Sequence, residues 1–255
     1  ARENGEDWPF NAQSMAGAKR MLNVHKLIEQ VEADKIPGDF VETGVWRGGV
    51  CIYAAGVYQT NNIKLKDRKI WVCDSFEGLP QPNEAQYPVD QGDTHFTAQW
   101  LKCDMDTVAR NFASYNLLSD QIKFVKGFFS DTLPKMKDEI EQIRILRLDG
   151  DMYESTIVAL ENLYPKLSVG GYVIVDDYGL PNCRKALEDY RKFHDIEDEY
   201  IEIDNSSVYF KKTNESDKDK IEHRFALPKS VQSGPVGASE QSKTTFSQPN
   251  QGASL

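Results

Sequence analysis

The chain has 255 residues, and its 30 Lys and Arg residues are outnumbered by 40 Asp and Glu residues, for a formal net charge of -10 at pH 7. Nucleic-acid binders usually present a basic face, so this balance predicts no nucleic-acid partner. No apolar run approaches the roughly 20 residues that cross a bilayer. The first residues lack the zones of a signal peptide, and the four cysteines show no metal-ligand spacing. We therefore expect a cytoplasmic protein that does not bind membranes.

Helical periodicity and short apolar runs alternate along the chain. In chain order, we predict a helix over Gly17–Asp34, a strand over Phe40–Thr43, a helix from about Gly49, a strand over Lys69–Asp74, a helix over Leu101–Tyr115, strands over Ile122–Val125 and Ile143–Leu148, a helix over Ser155–Leu167, a strand over Tyr172–Val175, a helix over Asn182–His194, and a hairpin of Tyr200–Ile203 with Val208–Phe210. Near-continuous apolar strands that alternate with helices are typical of a parallel sheet covered on both faces. The predicted fold class is therefore α/β: a Rossmann-like, doubly wound, mostly parallel sheet with a C-terminal antiparallel hairpin.

The composition of the chain changes near residue 214. Residues 214–255 are rich in Ser, Gln, Lys, Pro and Gly and show no sustained periodicity. Such a segment buries too little apolar surface to offset the entropy of ordering it. We therefore predict one domain over residues 1–213, which includes an N-terminal helical cap, and a disordered polar tail over residues 214–255.

Acidic and small residues follow the predicted strands. In strand order they are Glu42-Thr43-Gly44, Asp74-Ser75, Gly127 with Ser130-Asp131, Asp149 with Asp151, and Asp176-Asp177. Open α/β sheets bind ligands beyond the carboxyl ends of their strands. Because these residues all fall at that edge, we predict the functional site there.

The turn after the first strand, Glu42–Gly49, reads E-T-G-V-W-R-G-G. Its glycines permit a tight turn close to a ligand, but it lacks the G-x-G-x-x-G pattern that binds a pyrophosphate. Asp74, at the end of the next strand, is placed to accept hydrogen bonds from ribose hydroxyls. A nucleoside site without a phosphate motif favours S-adenosylmethionine over NAD. Ordinary turn chemistry is the alternative explanation.

Four acids, Asp149, Asp151, Asp176 and Asp177, end two consecutive strands. Like charges this close repel unless protonation or a cation neutralises them. An all-oxygen set suits Mg²⁺, or Mn²⁺ or Ca²⁺, rather than zinc. A divalent ion there would make an acceptor hydroxyl more acidic, and a nearby carboxylate could remove its proton. The alternative is that these acids only cap helices.

Four motifs occur in the same order as in a known family. They are F-V-E-T-G-V-W-R-G-G (Phe40–Gly49), D-S-F-E-G-L-P (Asp74–Pro80), L-R-L-D-G-D-M-Y-E-S-T (Leu146–Thr156) and V-I-V-D-D-Y (Val173–Tyr178). With them the chain, from Asp7 through Phe210, resembles the macrocin O-methyltransferase family, which methylates sugar hydroxyls of macrolide and aminocoumarin antibiotics.

The resemblance implies a class I methyltransferase fold and an O-methyltransferase (EC 2.1.1.-) that uses S-adenosylmethionine and Mg²⁺. It also implies a glycoside or other hydroxylated small molecule as acceptor, and a homo-oligomer. Asp149, Asp176 and Asp177 match the metal-binding acids of the family, and Asp151 matches the proposed general base, so that Asp149 and Asp151 are the expected catalytic pair. Together with the strand-end analysis, the expected donor-binding residues are Glu42, Thr43, Gly44, Asp74, Ser75, Gly127, Ser130, Asp131 and Asp149.

The acceptor pocket of the family is formed in part by segments that correspond to Arg2–Met21 and Leu79–Thr97. The second segment is rich in Pro, Gln and acids, which favours a mobile lid over an ordinary surface loop. Two alternatives to a sugar O-methyltransferase stay open at this point. One is an enzyme that methylates catechols or other phenols, and the other is a non-catalytic binding protein with the same fold.

Overall fold

The protein is described here by a computed structural model that covers residues 1–61 and 68–214. Apart from Asn214, the predicted tail over residues 214–255 lies outside the described residues, and its disorder stays a prediction. Within the described ranges, no helix is both long and apolar enough to cross a membrane.

Seven strands form one mixed sheet. They are β1 (Asp39–Thr43), β2 (Ile70–Asp74), β3 (Ile122–Lys126), β4 (Ile143–Leu148), β5 (Leu167–Val175), β6 (Ile201–Glu202) and β7 (Val208–Lys211), in the spatial order β3-β2-β1-β4-β5-β7-β6. The first five strands pair in parallel. β7 runs antiparallel to β5 and to the short β6. The predicted fold, including the C-terminal antiparallel hairpin, is confirmed.

Of the longer helices of the described residues, the first precedes β1 and the others lie between successive strands. They are α1 (Ala18–Ala33), α2 (Gly49–Thr60), α3 (Met105–Ser114), α4 (Phe129–Glu139), α5 (Tyr153–Leu163) and α6 (Pro181–Phe193). α1 and α2 pack against each other over the same part of the core, through buried residues such as Val24, Ile28 and Tyr58.

Three predicted boundaries were wrong by four or five residues. The helix predicted over Leu101–Tyr115 begins at Met105, because the Asp104 side chain caps it by accepting a hydrogen bond from the Thr107 amide at 2.9 Å. The helix predicted over Ser155–Leu167 ends at Leu163, and β5 begins at Leu167 rather than at Tyr172.

Ser130 and Asp131, which follow the third predicted strand, lie in the first turn of α4, a helix that the predicted element order does not include. Pro134 lies inside this helix, although proline lacks the amide hydrogen that a helix interior uses. Burial of Leu133 and Met136 on the inner face of α4 outweighs that loss.

The strand order determines where in the fold the functional site lies. From β1 the chain proceeds outward to β2 and β3, and it then returns to β4 on the other side of β1. This reversal opens a crevice beyond the carboxyl ends of β1 and β4, which is where open α/β sheets bind ligands. Both strands are buried nearly throughout, so the residues that follow them are held on a rigid base.

Candidate active site at the carboxyl edge of the sheet

A cavity lies at this crevice. It is an open cleft whose volume, counted together with the solvent at its mouth, is about 740 Å³. The loops after β1, β2, β3 and β4 all contribute to its wall. The lining residues that matter below are Met15, Gly44, Trp46, Asp74, Ser75, Leu79, Ser130, Asp149, Asp151 and Glu154. Five of the predicted donor-binding residues (Gly44, Asp74, Ser75, Ser130 and Asp149) therefore line one cavity.

The turn after β1 touches the acidic loop after β4. Gly44 has a φ of +83°, and a Cβ built on it would overlap the carbonyl oxygen of Asp149. The Gly44 amide donates a hydrogen bond to the carbonyl of Cys73 at 2.8 Å. Only glycine combines this backbone conformation with so close an approach. The cavity wall therefore depends on the absence of a side chain at this position.

Asp74 fixes the same turn from the end of β2. One carboxylate oxygen accepts hydrogen bonds from the amides of Val45 (2.8 Å) and Trp46 (3.3 Å), and the other accepts one from Phe76 (2.8 Å). Burial raises the pKa of Asp74, and the backbone amides oppose that rise. Asp74 lines the cavity, but these contacts are structural, and its contact with a ribose stays a prediction.

Four of the predicted donor-binding residues are not among the residues that line the cavity. Glu42 and Thr43 are buried behind it; the Glu42 carboxylate accepts a hydrogen bond from the Cys51 thiol at 2.7 Å and pairs with Arg147. Burial raises the pKa of Glu42 to about 7. Gly127 and Asp131, at the start of α4, also fall outside the lining residues. The donor-binding role of these four residues stays a prediction.

Three of the four strand-end acids converge. One carboxylate oxygen from each of Asp149, Asp151 and Asp177 lies within 4.8 Å of the others. The Asp177 carboxylate also accepts a hydrogen bond from the amide of Asp151 at 3.0 Å. Asp151 has a φ of +59°, a left-handed conformation that few residues other than glycine adopt. The loops after β4 and β5 are thus joined beside the cavity that Asp149 and Asp151 line.

The carboxylates of this group disfavour one another's charge. Burial and the charge of Asp149 raise the pKa of Asp151 to about 7, and the nearby His95 opposes this rise. Burial also raises the pKa of Asp149, and it raises that of Asp177 still further, with Asp151 adding to the effect. A positive charge placed among these three groups would offset both the cost of burying the carboxylates and the repulsion between them.

Asp176 lies outside this three-acid group. Its carboxylate pairs with Arg147 from β4 and with Arg20 from α1, the latter at 2.5 Å. Arg20 also pairs with Asp204 at 2.7 Å, so it links the N-terminal helix to the hairpin. The predicted role of Asp176 as a metal ligand stays a prediction.

Sequence reasoning missed Arg147, which lies beneath the acids. Its side chain is buried and forms ion pairs with Glu42, Asp149 (2.7 Å) and Asp176. Burial would lower the pKa of Arg147, but the carboxylates reverse this and raise it. The sequence did contain a signal. Arg147 interrupts an apolar strand two residues before Asp149, and residues two apart in a strand point to the same side.

Glu154 was also missed. It lines the cavity at the start of α5, and its Oε2 is buried without a hydrogen-bond partner. The segments predicted to form the acceptor pocket contribute to the same wall through Met15 and Leu79. His95, in the second segment, pairs with Asp93 at 3.0 Å.

The three-acid group fits a divalent cation. All its donor atoms are carboxylate oxygens, the ligands that Mg²⁺ and Ca²⁺ prefer. Ligands on opposite sides of a Mg²⁺ ion are about 4 Å apart. Adjacent ligands of an octahedral ion lie closer still, at about 3 Å, so the three oxygens, which lie within 4.8 Å of one another, would draw together around a shared ion.

Comparisons with known proteins agree on one family. Residues 1–212 match the profile of the Macrocin-O-methyltransferase (TylF) family. The chain is 47% identical over 214 residues to demethyldecarbamoylnovobiocin O-methyltransferase of Streptomyces niveus, which covers 83% of this chain and 80% of that protein. It is 44% identical over 210 residues to 8-demethyl-8-(2,3-dimethoxy-alpha-L-rhamnosyl)-tetracenomycin-C 4'-O-methyltransferase of Streptomyces olivaceus, with 82% and 79% covered.

A solved structure agrees with the sequence matches. The fold is similar to that of the O-methyltransferase NovP, with a TM-score of 0.80 and 46% sequence identity over 84% of this chain and 87% of that one.

Proposed function

Because this chain belongs to the macrocin O-methyltransferase family and is an O-methyltransferase, we propose that it transfers the methyl group of S-adenosylmethionine to a sugar hydroxyl of a glycosylated small molecule. The name of its tetracenomycin relative includes a rhamnosyl group, which supports a glycoside acceptor. The observation that carries the proposal is the convergence of Asp149, Asp151 and Asp177, of which Asp149 and Asp151 line the cavity.

Two of the three converging acids, Asp149 and Asp177, are the proposed ligands of a Mg²⁺ ion. Asp176, which lies outside that group, is the proposed third ligand, because Asp151 is assigned to proton transfer. The Asp176 oxygens that face Arg20 and Arg147 each keep a free lone pair for this purpose. When bound, Mg²⁺ acts as a Lewis acid that makes an acceptor hydroxyl more acidic. The arginines hold the carboxylates in place and offset their mutual repulsion.

Asp151 is the proposed general base. It removes the proton from the acceptor hydroxyl, and the oxygen lone pair then forms a bond to the methyl carbon of the donor. The bond between that carbon and sulfur breaks, and its electron pair stays on sulfur. The products are a methyl ether, S-adenosylhomocysteine and a proton on Asp151. Orientation of the donor is assigned to the wall that contains Gly44, Ser75 and Ser130.

The test is to incubate the purified protein with labelled S-adenosylmethionine, Mg²⁺ and two panels of acceptors, one of glycosides and one of catechols. We expect methylated glycoside from the wild-type protein. Methylation of catechols alone would contradict the proposed acceptor, and failure to bind S-adenosylmethionine in calorimetry would favour a binding protein without catalysis.

The role of Asp151 is tested with Asp151→Asn, which keeps the size of the side chain and removes its basicity. A general base contributes roughly 10²–10⁴-fold, so we expect kcat on a glycoside to fall by about that factor while donor affinity is kept. Phenols ionise more readily, so we expect a smaller fall in kcat on a phenol acceptor. Asp120→Asn, at an exposed position, is the matched control. Equal losses on both acceptor classes would refute the role of Asp151.

A further inference from the structure

Asp90 is a fully buried acid in the long segment between β2 and α3. It ends a 3₁₀ turn, Pro88–Asp90, and its exposed fraction is 0%. A carboxylate is rarely buried unless it is hydrogen-bonded or paired. Its partners therefore indicate what it does.

The side chain of Asp90 accepts three hydrogen bonds, each from a residue outside its own segment. One oxygen accepts from the amide of Tyr153 at 2.8 Å and from the side-chain amide of Asn182 at 3.1 Å. The other oxygen accepts from the amide of Glu154 at 2.9 Å. The ring of Tyr87 packs against that of Tyr153, with centroids 6.0 Å apart, so the contact extends beyond one side chain.

These partners lie at the N-termini of two helices. Tyr153 and Glu154 are the first residues of α5, where the amides have no partner within the helix. Met152, the residue before α5, provides no side-chain cap, so Asp90 supplies that cap from a distant part of the chain. Asn182 is the second residue of α6.

The same two helices follow the two acidic loops. α5 begins two residues after Asp151, and α6 begins four residues after Asp177. One carboxylate thus joins the segment between β2 and α3 to both loops that carry the converging acids. His95, which interacts electrostatically with Asp151, belongs to this segment as well.

We propose that Asp90 is a positioning residue: it clamps the segment between β2 and α3 onto the starts of α5 and α6 and so fixes where Asp151 lies in the cavity. The segment Leu79–Thr97, which was predicted to be a mobile lid, is accordingly anchored near its centre. Only the catalytic part of this inference depends on the proposed function, and the clamp itself is tested without turnover.

The test variant is Asp90→Asn. All three partners are N–H donors, and the amide NH₂ of asparagine must face at least one of them, so at least one bond is lost at nearly unchanged size. Glu84→Gln is the matched control, because it makes the same acid-to-amide change in the same segment. Unlike Asp90, Glu84 is exposed, and its side chain accepts a hydrogen bond from the Gly92 amide.

Hydrogen exchange measures the clamp directly. In Asp90→Asn we expect exchange in peptides that cover residues 86–93 and 152–156 to accelerate at least tenfold, while peptides from β1 and β4 keep wild-type rates. Glu84→Gln should match wild type in all of them. Wild-type exchange around residues 152–156 in Asp90→Asn would overturn the proposal.

The catalytic consequence is a selective loss of kcat. Small displacements of a reacting group can cost about 10²-fold, so we expect kcat of Asp90→Asn to fall by 10- to 100-fold while KM for the donor changes less than threefold. A rise in donor KM with unchanged kcat would refute the positioning role. If no glycoside is methylated even by wild type, the proposed function fails, but the exchange result still decides the clamp.

A second variant covers the case in which Asp90→Asn does not fold. Asn182→Ala removes one of the three bonds and leaves both backbone amides of α5 capped. We expect exchange in residues 86–93 to rise about threefold. No rise would overturn the clamp.

Discussion

Replacing Gly44 with alanine tests how closely the donor turn packs on the acidic loop. A Cβ there would lie 2.7 Å from the carbonyl carbon of Asp149 and would overlap the carbonyl oxygen. Ordinary contacts between carbon atoms are about 3.5–4.0 Å, so the two loops must separate by about 1 Å or more. The left-handed conformation costs alanine a further ~1–2 kcal/mol, and overpacking costs ~1–3 kcal/mol. We expect Gly44→Ala to lose about 2–5 kcal/mol of unfolding free energy and to bind S-adenosylmethionine at least tenfold more weakly.

Gly92 provides the control for this prediction. Its φ is +79°, close to that of Gly44, but no heavy atom lies within 4 Å of a Cβ built on it. Gly92→Ala therefore pays the conformational cost alone, and we expect a loss of about 1–2 kcal/mol and unchanged donor affinity. Urea unfolding and calorimetry with S-adenosylmethionine measure both quantities. If the two variants were equally stable and bound the donor equally well, the close packing of the two loops would be refuted.

Three further predictions concern the charged groups. Arg147→Met should lower the free energy of unfolding by about 3–5 kcal/mol in urea with EDTA, because Glu42 and Asp149 lose their arginine partner and Asp176 keeps only Arg20; a loss below ~1 kcal/mol would contradict this. Burial raises the pKa of Glu32, but the ion pairs with Arg68 and Arg144 outweigh this and lower it. The ionised Glu32 side chain therefore stabilises the folded state at neutral pH, and this contribution is lost as the pH falls below about 4.5. Glu32→Gln should accordingly lower the urea midpoint at pH 7 and approach wild type near the acid end, and a constant difference across pH would refute it. Adding Mg²⁺ at 100 times its Kd should stabilise the metal-free protein by about 2.7 kcal/mol, and Asp177→Asn should abolish this shift in thermal unfolding.

The strands and the edge that carries the site were predictable from the sequence. Apolar runs that end in Asp or Glu mark the carboxyl ends of β1, β2, β4 and β5, and parallel pairing brings these ends to one edge of the sheet. The convergence of Asp149 with Asp151 and Asp177 follows from the same rule.

Features that depend on distant contacts could not be predicted in this way. Pro134 argues locally against α4, and Gly170 and Gly171 argue against the first half of β5, yet packing and strand pairing overcome both signals. Asp90 looks like any other acid of a polar loop, and only the tertiary structure shows that it caps a helix more than sixty residues later in the chain. Asp176 likewise looks the same as Asp177 in sequence, and the position of Arg20 distinguishes them.

The strand order also bears on how copies of this chain can associate. Within the described ranges, β6 ends the sheet on one side with two residues, which offers few unpaired backbone groups to another strand. At the opposite border, β3 includes Lys123 and Lys126, and an incoming copy of the same strand would have to bring like charges together. Neither border strand is therefore suited to pairing with a strand of another copy and extending the sheet. If copies of the folded chain associate, we therefore expect the contact at helical faces and loops rather than at the two borders of the sheet.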